Sequence, residues 1–160
     1  MKRYLQRDRS QPASRYEAFD EKGVLLCRVK GKLTPSGEFI RLYDPCENIV
    51  CKIRRLGFSA LSAYHIRCGG CAARLSVAVS AGRASARFGG ISFCVRGDVL
   101  SGCYDIVDAD GALVCSVSTD YAKGCVSLMI AMPERELFCL ASAVCIDSIA
   151  LDRSPVLQMT

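Results

Sequence analysis

The chain contains no tryptophan and one histidine among its 160 residues. Histidine is the common general base and metal ligand of proteins, so its scarcity argues against histidine-based catalysis and histidine-rich metal sites. The segment Met1 to Arg9 also lacks the apolar run of a secretory signal peptide. A cytoplasmic location is therefore expected.

The composition is that of a compact protein. Hydrophobic residues make up 51% of the chain and charged residues 23%. A chain of this length can bury roughly two thirds of its unfolded surface without disulfides or a metal. No break in composition separates two domains, so we expect one domain over residues 1–153, followed by a tail at 154–160. We expect a monomer.

One hairpin pattern occurs three times. The segment Tyr16 to Val29 recurs 88 residues later as Tyr104 to Val117, and a looser copy follows 24 residues after the first. In each copy, alternating apolar and polar residues flank a turn that opens with Asp20, Asp44 or Asp108. Such alternation is typical of strands with one buried face, and the aspartate can bond to the backbone that follows it. The pattern predicts three β-hairpins.

The turns differ in how they close. Gly23 and Gly111 can adopt the left-handed conformation without steric cost, whereas in the middle turn we expect Asn48 to adopt it, after Pro45. Further short segments separated by glycines predict more strands. Beyond a short first strand within residues 1–10, the candidates are 15–20, 24–31, 38–43, 48–56, 63–68, 71–78, 83–88, 92–97, 102–107, 112–119 and 124–131.

The last apolar segment favours a helix. Pro133, Glu134 and Glu136 are typical of a helix start, so an α-helix is predicted over 134–151. The fifteen residues 137–151 are apolar nearly all round and fall short of the roughly twenty that cross a bilayer. A core helix is thus favoured over a membrane anchor. Many short antiparallel strands with one such helix predict a mainly β, closed barrel that the helix threads.

These residues resemble the LURP-one-related family, whose domain is similar to the C-terminal barrel of Tubby proteins and, more distantly, to phospholipid scramblases. The resemblance spans roughly residues 1–153. It implies a closed, antiparallel, Tubby-like β-barrel of about twelve strands around a central hydrophobic C-terminal helix. Its carriers are Tyr16 to Val29, Gly31, Asp44, Cys51 to Ile53, Tyr64 to Ile66, Val95 to Val99, Tyr104 to Ile106 and Leu140 to Asp147.

The chain holds eleven cysteines, an odd number, and cytoplasmic thiols normally stay reduced. Cys27, Cys51 and Cys115 occupy one repeat position between inward aliphatic residues. Cys139 and Cys145 lie in the apolar helical segment. All five are expected to be free thiols that pack in the core as small hydrophobic side chains.

Cys68-Gly69-Gly70-Cys71 has the spacing of a metal or redox motif. Cys46 and Cys51 would complete four thiolates, but Cys51 is expected to point inward. A redox pair would favour a helix after the first cysteine, whereas a strand is predicted here. The favoured interpretation is a hairpin turn with incidental cysteines; a thiol or metal site at Cys68 and Cys71 is kept as an alternative.

No catalytic residue, cofactor or metal ligand is predicted, and the protein is not expected to be an enzyme. His65 lies on a strand between two apolar residues, so it should point outward, with no nucleophile signature beside it. The aspartates Asp105, Asp108 and Asp110 are explained by turns and strand edges.

The candidate site is basic. Arg28 and Lys30 alternate on one strand, and Lys52 and Arg54 are their equivalents 24 residues on, so the four cations are predicted to share an outer face that attracts phosphates. A solvated face that protects strands from edge association is the commoner explanation of such charges. No aromatic platform interleaved with these cations is predicted, so nucleic acid is not an expected partner.

The leading expectation is a non-enzymatic binding module. Similarity to Tubby domains implies contact with anionic phospholipid headgroups through Arg28, Lys30, Lys52 and Arg54, and the alternative partner is another protein. A membrane-associated, scramblase-like protein is the remaining alternative.

Overall fold

The computed structural model describes residues 1–8, 14–34, 37–56 and 61–153. Within these ranges it has twelve β-strands and one α-helix. The tail predicted for 154–160 lies outside the described residues. The elements are β1 (Lys2–Arg7), β2 (Ser14–Asp20), β3 (Leu25–Thr34), β4 (Gly37–Tyr43), β5 (Ile49–Leu56), β6 (Leu61–Cys68), β7 (Cys71–Ser80), β8 (Arg83–Gly89), β9 (Cys94–Arg96), β10 (Cys103–Val107), β11 (Leu113–Asp120), β12 (Cys125–Ile130) and α1 (Glu136–Arg153).

The strands form one closed antiparallel barrel. Each strand pairs with the next along the chain, and β1 pairs with β12 to close the wall, with Leu5 opposite Val126. Among the described residues every strand has a neighbour on both sides, although β8 meets β9 only where Arg87 lies opposite Cys94, and this pairing limits edge association. The predicted fold is confirmed, and each predicted strand overlaps an observed one.

The three repeated turns share one hydrogen-bond pattern. In each, an aspartate carboxylate accepts bonds from the backbone amides two and four residues later; for Asp20 these belong to Lys22 and Val24, at 2.8 and 2.9 Å. Asp44 and Asp108 repeat the pattern within 0.1 Å. The amide of Val24 contributes most to lowering the pKa of Asp20.

The middle turn corrects one prediction. Glu47, and not Asn48, adopts the left-handed conformation, with φ 66°. Its position matches Gly23 and Gly111, whose φ angles are 79° and 82°. The turn geometry therefore fixes which residue is left-handed, and the third residue after the aspartate takes that place whatever its side chain.

The α-helix runs through the barrel interior. Every residue from Phe138 to Ala150 is buried, which confirms a core helix. Two of its buried polar side chains form hydrogen bonds within the helix. The hydroxyls of Ser142 and Ser148 donate to backbone carbonyls four residues earlier, at 2.8 and 2.7 Å. A single 3-10 turn at Pro133–Arg135 leads into the helix.

Candidate anion-binding face and the buried charges

A row of four cations crosses the outer wall of the barrel. Lys30 on β3 lies opposite Arg41 on β4, Arg41 lies opposite Lys52 on β5, and Lys52 lies opposite Arg67 on β6. Residues directly opposite on antiparallel strands point to the same face. Arg41, Lys52 and Arg67 are exposed.

A second row runs beside the first. Lys32, Phe39, Arg54, His65 and Arg74 lie opposite one another on β3 to β7, in that order. The Arg54 guanidinium lies 5.6 Å from the ring centroid of Phe39, within cation–π distance. Arg54, His65 and Arg74 are exposed. We call these two rows together the cationic face.

A groove of about 430 Å³ lies between the two rows. Its cationic lining consists of Arg41, Lys52, Arg54 and Arg67, with His65 beside them. Half-buried Phe39 and Leu56 add apolar surface. The groove thus joins cationic side chains to an apolar floor.

The predicted cations share this outer wall but are not equivalent. Arg28 is ion-paired with Glu17 at 3.6 Å and with Glu47 at 3.5 Å, and Lys30 is 3.5 Å from Glu47. By contrast, no carboxylate in the described part of the chain pairs with Arg41, Lys52 or Arg67. The positive charge is therefore centred on β4 to β6, one strand further along than the sequence predicted.

Two aromatic side chains interleave with the cations, contrary to the sequence prediction. Phe39 contacts Arg54, and the ring of Tyr43 lies 5.2 Å from the Lys30 ammonium. Both belong to β4, which separates the two strands that the repeat had placed side by side.

A signal in the sequence would have found this face. Residues 48–97 contain no Asp or Glu and eight Lys or Arg, which gives this stretch a charge of +8. Because the whole chain carries +5, all other residues together carry −3. This charge asymmetry could have been recognised in the sequence. The prediction missed it because it rested on the repeated hairpin, which points to β3 and β5 alone.

His65 points outward as predicted. It is exposed, and its neighbours Tyr64 and Ile66 are buried. It lies between Arg54 and Arg74 in the second row of the cationic face.

The barrel interior holds a charged group that the sequence did not predict. Asp147 of α1 accepts hydrogen bonds from the Arg7 guanidinium, at 3.0 and 2.6 Å, and from the Tyr16 hydroxyl, at 2.5 Å. The Arg7 and Asp147 side chains are 8% and 4% exposed. An aspartate within the long apolar stretch of the helix was the available signal, since buried charges require partners.

The environment of these groups shifts their pKa values. Burial, followed by the neighbouring Asp147 charge, raises the pKa of Tyr16 well above its usual value. Burial lowers the pKa of Arg7, but hydrogen bonding and attraction to Asp147 outweigh it, so the net shift is upward. Arg3 forms a second ion pair with α1, at Glu136, so β1 holds the helix at two points.

The cysteine predictions hold in part. Cys27, Cys115, Cys139 and Cys145 are buried free thiols, as expected. Burial raises the pKa of Cys27 to about 12. No group of three or more His, Cys, Asp or Glu side chains in the described ranges is placed to hold a metal ion.

Cys51 corrects the prediction that it is free. It lies inward and is 1% exposed, but it forms a disulfide with Cys68. The two residues lie opposite each other on β5 and β6, with Cα atoms 4.4 Å apart. The turn at Gly69 and Gly70 is confirmed, whereas the view of its cysteines as incidental is wrong for Cys68. The spacing of the cysteines in the sequence did not predict this bond, because the two residues are brought together by the register of β5 against β6.

The protein is thus a closed twelve-stranded barrel that surrounds a helix, and the outer wall of the barrel carries the cationic face. The structure is similar to the crystal structure of a protein from Arabidopsis thaliana, with a TM-score of 0.61, over 92% of this chain and 90% of the other. Sequence identity is 12%, so the likeness concerns the fold alone. No family model and no curated protein matches the chain. Among the described residues, no helix is long and apolar enough to cross a membrane.

Proposed function

We propose that this protein is a non-enzymatic, cytoplasmic binding module of the LURP-one-related, Tubby-like type that binds anionic phospholipid headgroups through its cationic face. Arg41, Lys52, Arg54 and Arg67 form the centre of the site. Arg28 and Lys30, which Glu17 and Glu47 partly neutralise, form its edge.

The observation that carries the proposal is the run of like charges in register. Lys30, Arg41, Lys52 and Arg67 lie directly opposite one another on four neighbouring strands. Like charges placed directly opposite destabilise a sheet, so the row works against the fold. An anion bound across the row would relieve that repulsion.

The groove favours a lipid headgroup. Its cations can bind phosphate, while Phe39 and Leu56 offer apolar surface at the same place. An aromatic ring beside cations suits the boundary between headgroups and acyl chains. A cation near an anionic leaflet contributes about 1 kcal/mol, so the five exposed arginines and lysines on β4 to β7 would contribute up to about 5 kcal/mol if all reach the surface together.

Vesicle flotation tests the proposal. The protein should float with vesicles that contain phosphatidylserine and stay behind with phosphatidylcholine vesicles, and 0.5 M salt should abolish binding because exposed charges are screened. The double variant Arg41→Gln/Lys52→Gln should lose most of the binding. Its matched control is Lys22→Gln/Lys123→Gln, which removes the same charge from exposed turns outside the cationic face.

Three outcomes would contradict the proposal. The first is equal flotation with neutral and anionic vesicles. The second is equal loss of binding in the two double variants. The third is tight binding of inorganic phosphate or a single-stranded oligonucleotide without any vesicle binding, which would assign the face to a soluble anion.

A further inference from the structure

Three cysteines lie in one row on the inner side of neighbouring strands. Cys51 on β5 lies opposite Cys68 on β6, and Cys68 lies opposite Cys71 on β7. Directly opposite residues have Cβ atoms roughly 4.5–5.5 Å apart. Cys51 and Cys68 are bonded, and Cys71 is a free thiol. The middle cysteine therefore has a thiol-bearing neighbour on each side.

Solvent reaches these cysteines unequally. Cys51 is 1% exposed and Cys68 is 7% exposed, whereas Cys71 is half-buried. A cleft of about 390 Å³ opens at this end of the barrel, between the turn that holds Cys68 and Cys71 and the segment Pro133 to Phe138. Small-molecule sites begin at roughly 300 Å³. A small solute that enters the cleft therefore meets Cys71 first.

We propose that Cys51, Cys68 and Cys71 form a thiol–disulfide relay. In this relay Cys71 reacts with a low-molecular-weight disulfide of the glutathione class, and the oxidation passes inward to Cys51 and Cys68. The site lies at the end of the barrel and does not depend on lipid binding.

The relay has three exchange steps. In the reduced protein the Cys71 thiolate attacks a solute disulfide, RSSR, which forms a Cys71–SR bond and releases RS⁻. The Cys68 thiolate then attacks the Cys71 sulfur, which forms a Cys68–Cys71 disulfide and releases a second RS⁻. Finally the Cys51 thiolate attacks Cys68, which forms the bond in the structure and returns Cys71 to a thiolate.

The steps balance. Two protein thiols lose two protons and two electrons, and RSSR becomes two RSH. The last step increases the stability of the folded state. The final bond joins residues 17 apart, whereas the intermediate bond closes a two-residue turn. A disulfide that closes a longer loop restricts the unfolded chain more. The same steps in reverse let an RSH solute reduce the buried bond.

Timed oxidation tests the relay. The full chain is reduced with dithiothreitol, freed of reductant, exposed to glutathione disulfide, quenched with acid and mapped by mass spectrometry. A glutathione adduct on Cys71 should appear first and the Cys51–Cys68 bond last. In Cys71→Ser that bond should form at least about tenfold more slowly, because the inner thiols then react only when the barrel end opens. Cys46→Ser, at an exposed turn, should keep the wild-type rate.

Two further variants trap the intermediates. Cys68→Ser should accumulate the Cys71 adduct, and Cys51→Ser should stop at the Cys68–Cys71 disulfide. Far-UV circular dichroism checks that each variant folds. If one of the trapping variants fails to fold, the oxidation rate of Cys71→Ser still tests the relay by itself. A wild-type rate in Cys71→Ser would overturn the relay, as would a wild-type protein that keeps a stable Cys71 adduct while Cys51 and Cys68 stay reduced.

Discussion

Asp147→Asn should lower the free energy of unfolding by about 3–5 kcal/mol, since it breaks a buried ion pair on one side. The change keeps the shape of the side chain but removes the charge that faces Arg7, whose side chain is 8% exposed. The arginine guanidinium stays protonated in proteins, so Arg7 does not remove this charge by losing a proton. The variant is left with a buried charge that nothing compensates.

The geometry supports this magnitude. Asp147 accepts three hydrogen bonds, two from Arg7 and one from Tyr16. Hydrogen bonds to charged groups contribute about 1.5–3 kcal/mol each, but asparagine keeps one acceptor oxygen, so the loss is smaller than the sum of three. A domain is stable by about 5–15 kcal/mol, so the variant should lose roughly a fifth or more of its stability.

Urea unfolding followed by far-UV circular dichroism measures the effect, because the chain lacks the tryptophan that fluorescence would use. Glu47→Gln is the matched control. Its carboxylate, 55% exposed, pairs with Arg28 and Lys30 at 3.5 Å, and its loss should change stability by less than about 0.5 kcal/mol. If Asp147→Asn unfolds within 1 kcal/mol of the wild type, or no earlier than the control, the buried ion pair does not stabilise the barrel as argued.

Four further predictions use the same or simple assays. Glu47→Gly should stabilise the protein by roughly 0.5–1 kcal/mol in urea relative to Glu47→Gln, because Glu47 has the left-handed conformation that glycine adopts freely; no gain would refute this. Glu47→Gln should bind anionic vesicles several-fold more tightly than the wild type, since it removes the carboxylate that pairs with Lys30 and one of those that pair with Arg28, and binding to neutral vesicles should not change. Lys52→Gln should raise the unfolding free energy by roughly 0.2–1 kcal/mol while weakening vesicle binding, and a loss of stability would count against repulsion in the row. Stability under reducing conditions should fall as pH rises above about 9, because Cys27, with a folded pKa of about 12, and Tyr16 and Tyr104, with raised pKa values, hold protons more tightly when folded; a flat profile from pH 8 to 11 would contradict these burial assignments.

The barrel could be predicted because its signals are local. Alternation and the opening aspartate marked the hairpins, and the all-apolar segment marked the helix. The left-handed residue of the middle turn was missed because residue preference favoured Asn48, whereas the hydrogen bonds made by Asp44 fix the conformation at Glu47. The conformational preference of a single residue is overridden where the hydrogen bonds of the turn require a particular backbone conformation.

The sites depend on strand register and on tertiary packing, which the pattern of neighbouring residues in the sequence does not reveal. The bond between Cys51 and Cys68 depends on the register of β5 against β6, and the ion pair between Arg7 and Asp147 depends on how α1 lies inside the wall. The charge of β4 to β6 was an exception. Its lack of acidic residues was readable, but Arg41 became part of a row only when β4 was found between β3 and β5.

The barrel also contains an internal comparison for its cationic face. The repeat positions of Arg28 and Lys30 hold Ser116 and Ser118 on β11, where the Ser116 hydroxyl donates to Asp105 at 2.6 Å. The same hairpin geometry therefore forms with neutral, hydrogen-bonded side chains on the outer wall. Since the fold does not require cations at this position of the hairpin, and since their mutual repulsion opposes the fold, the stability of the barrel gives no reason for them. A bound anion gives one, which is why a gain in stability together with a loss of vesicle binding in Lys52→Gln would separate the role of the face from that of the scaffold.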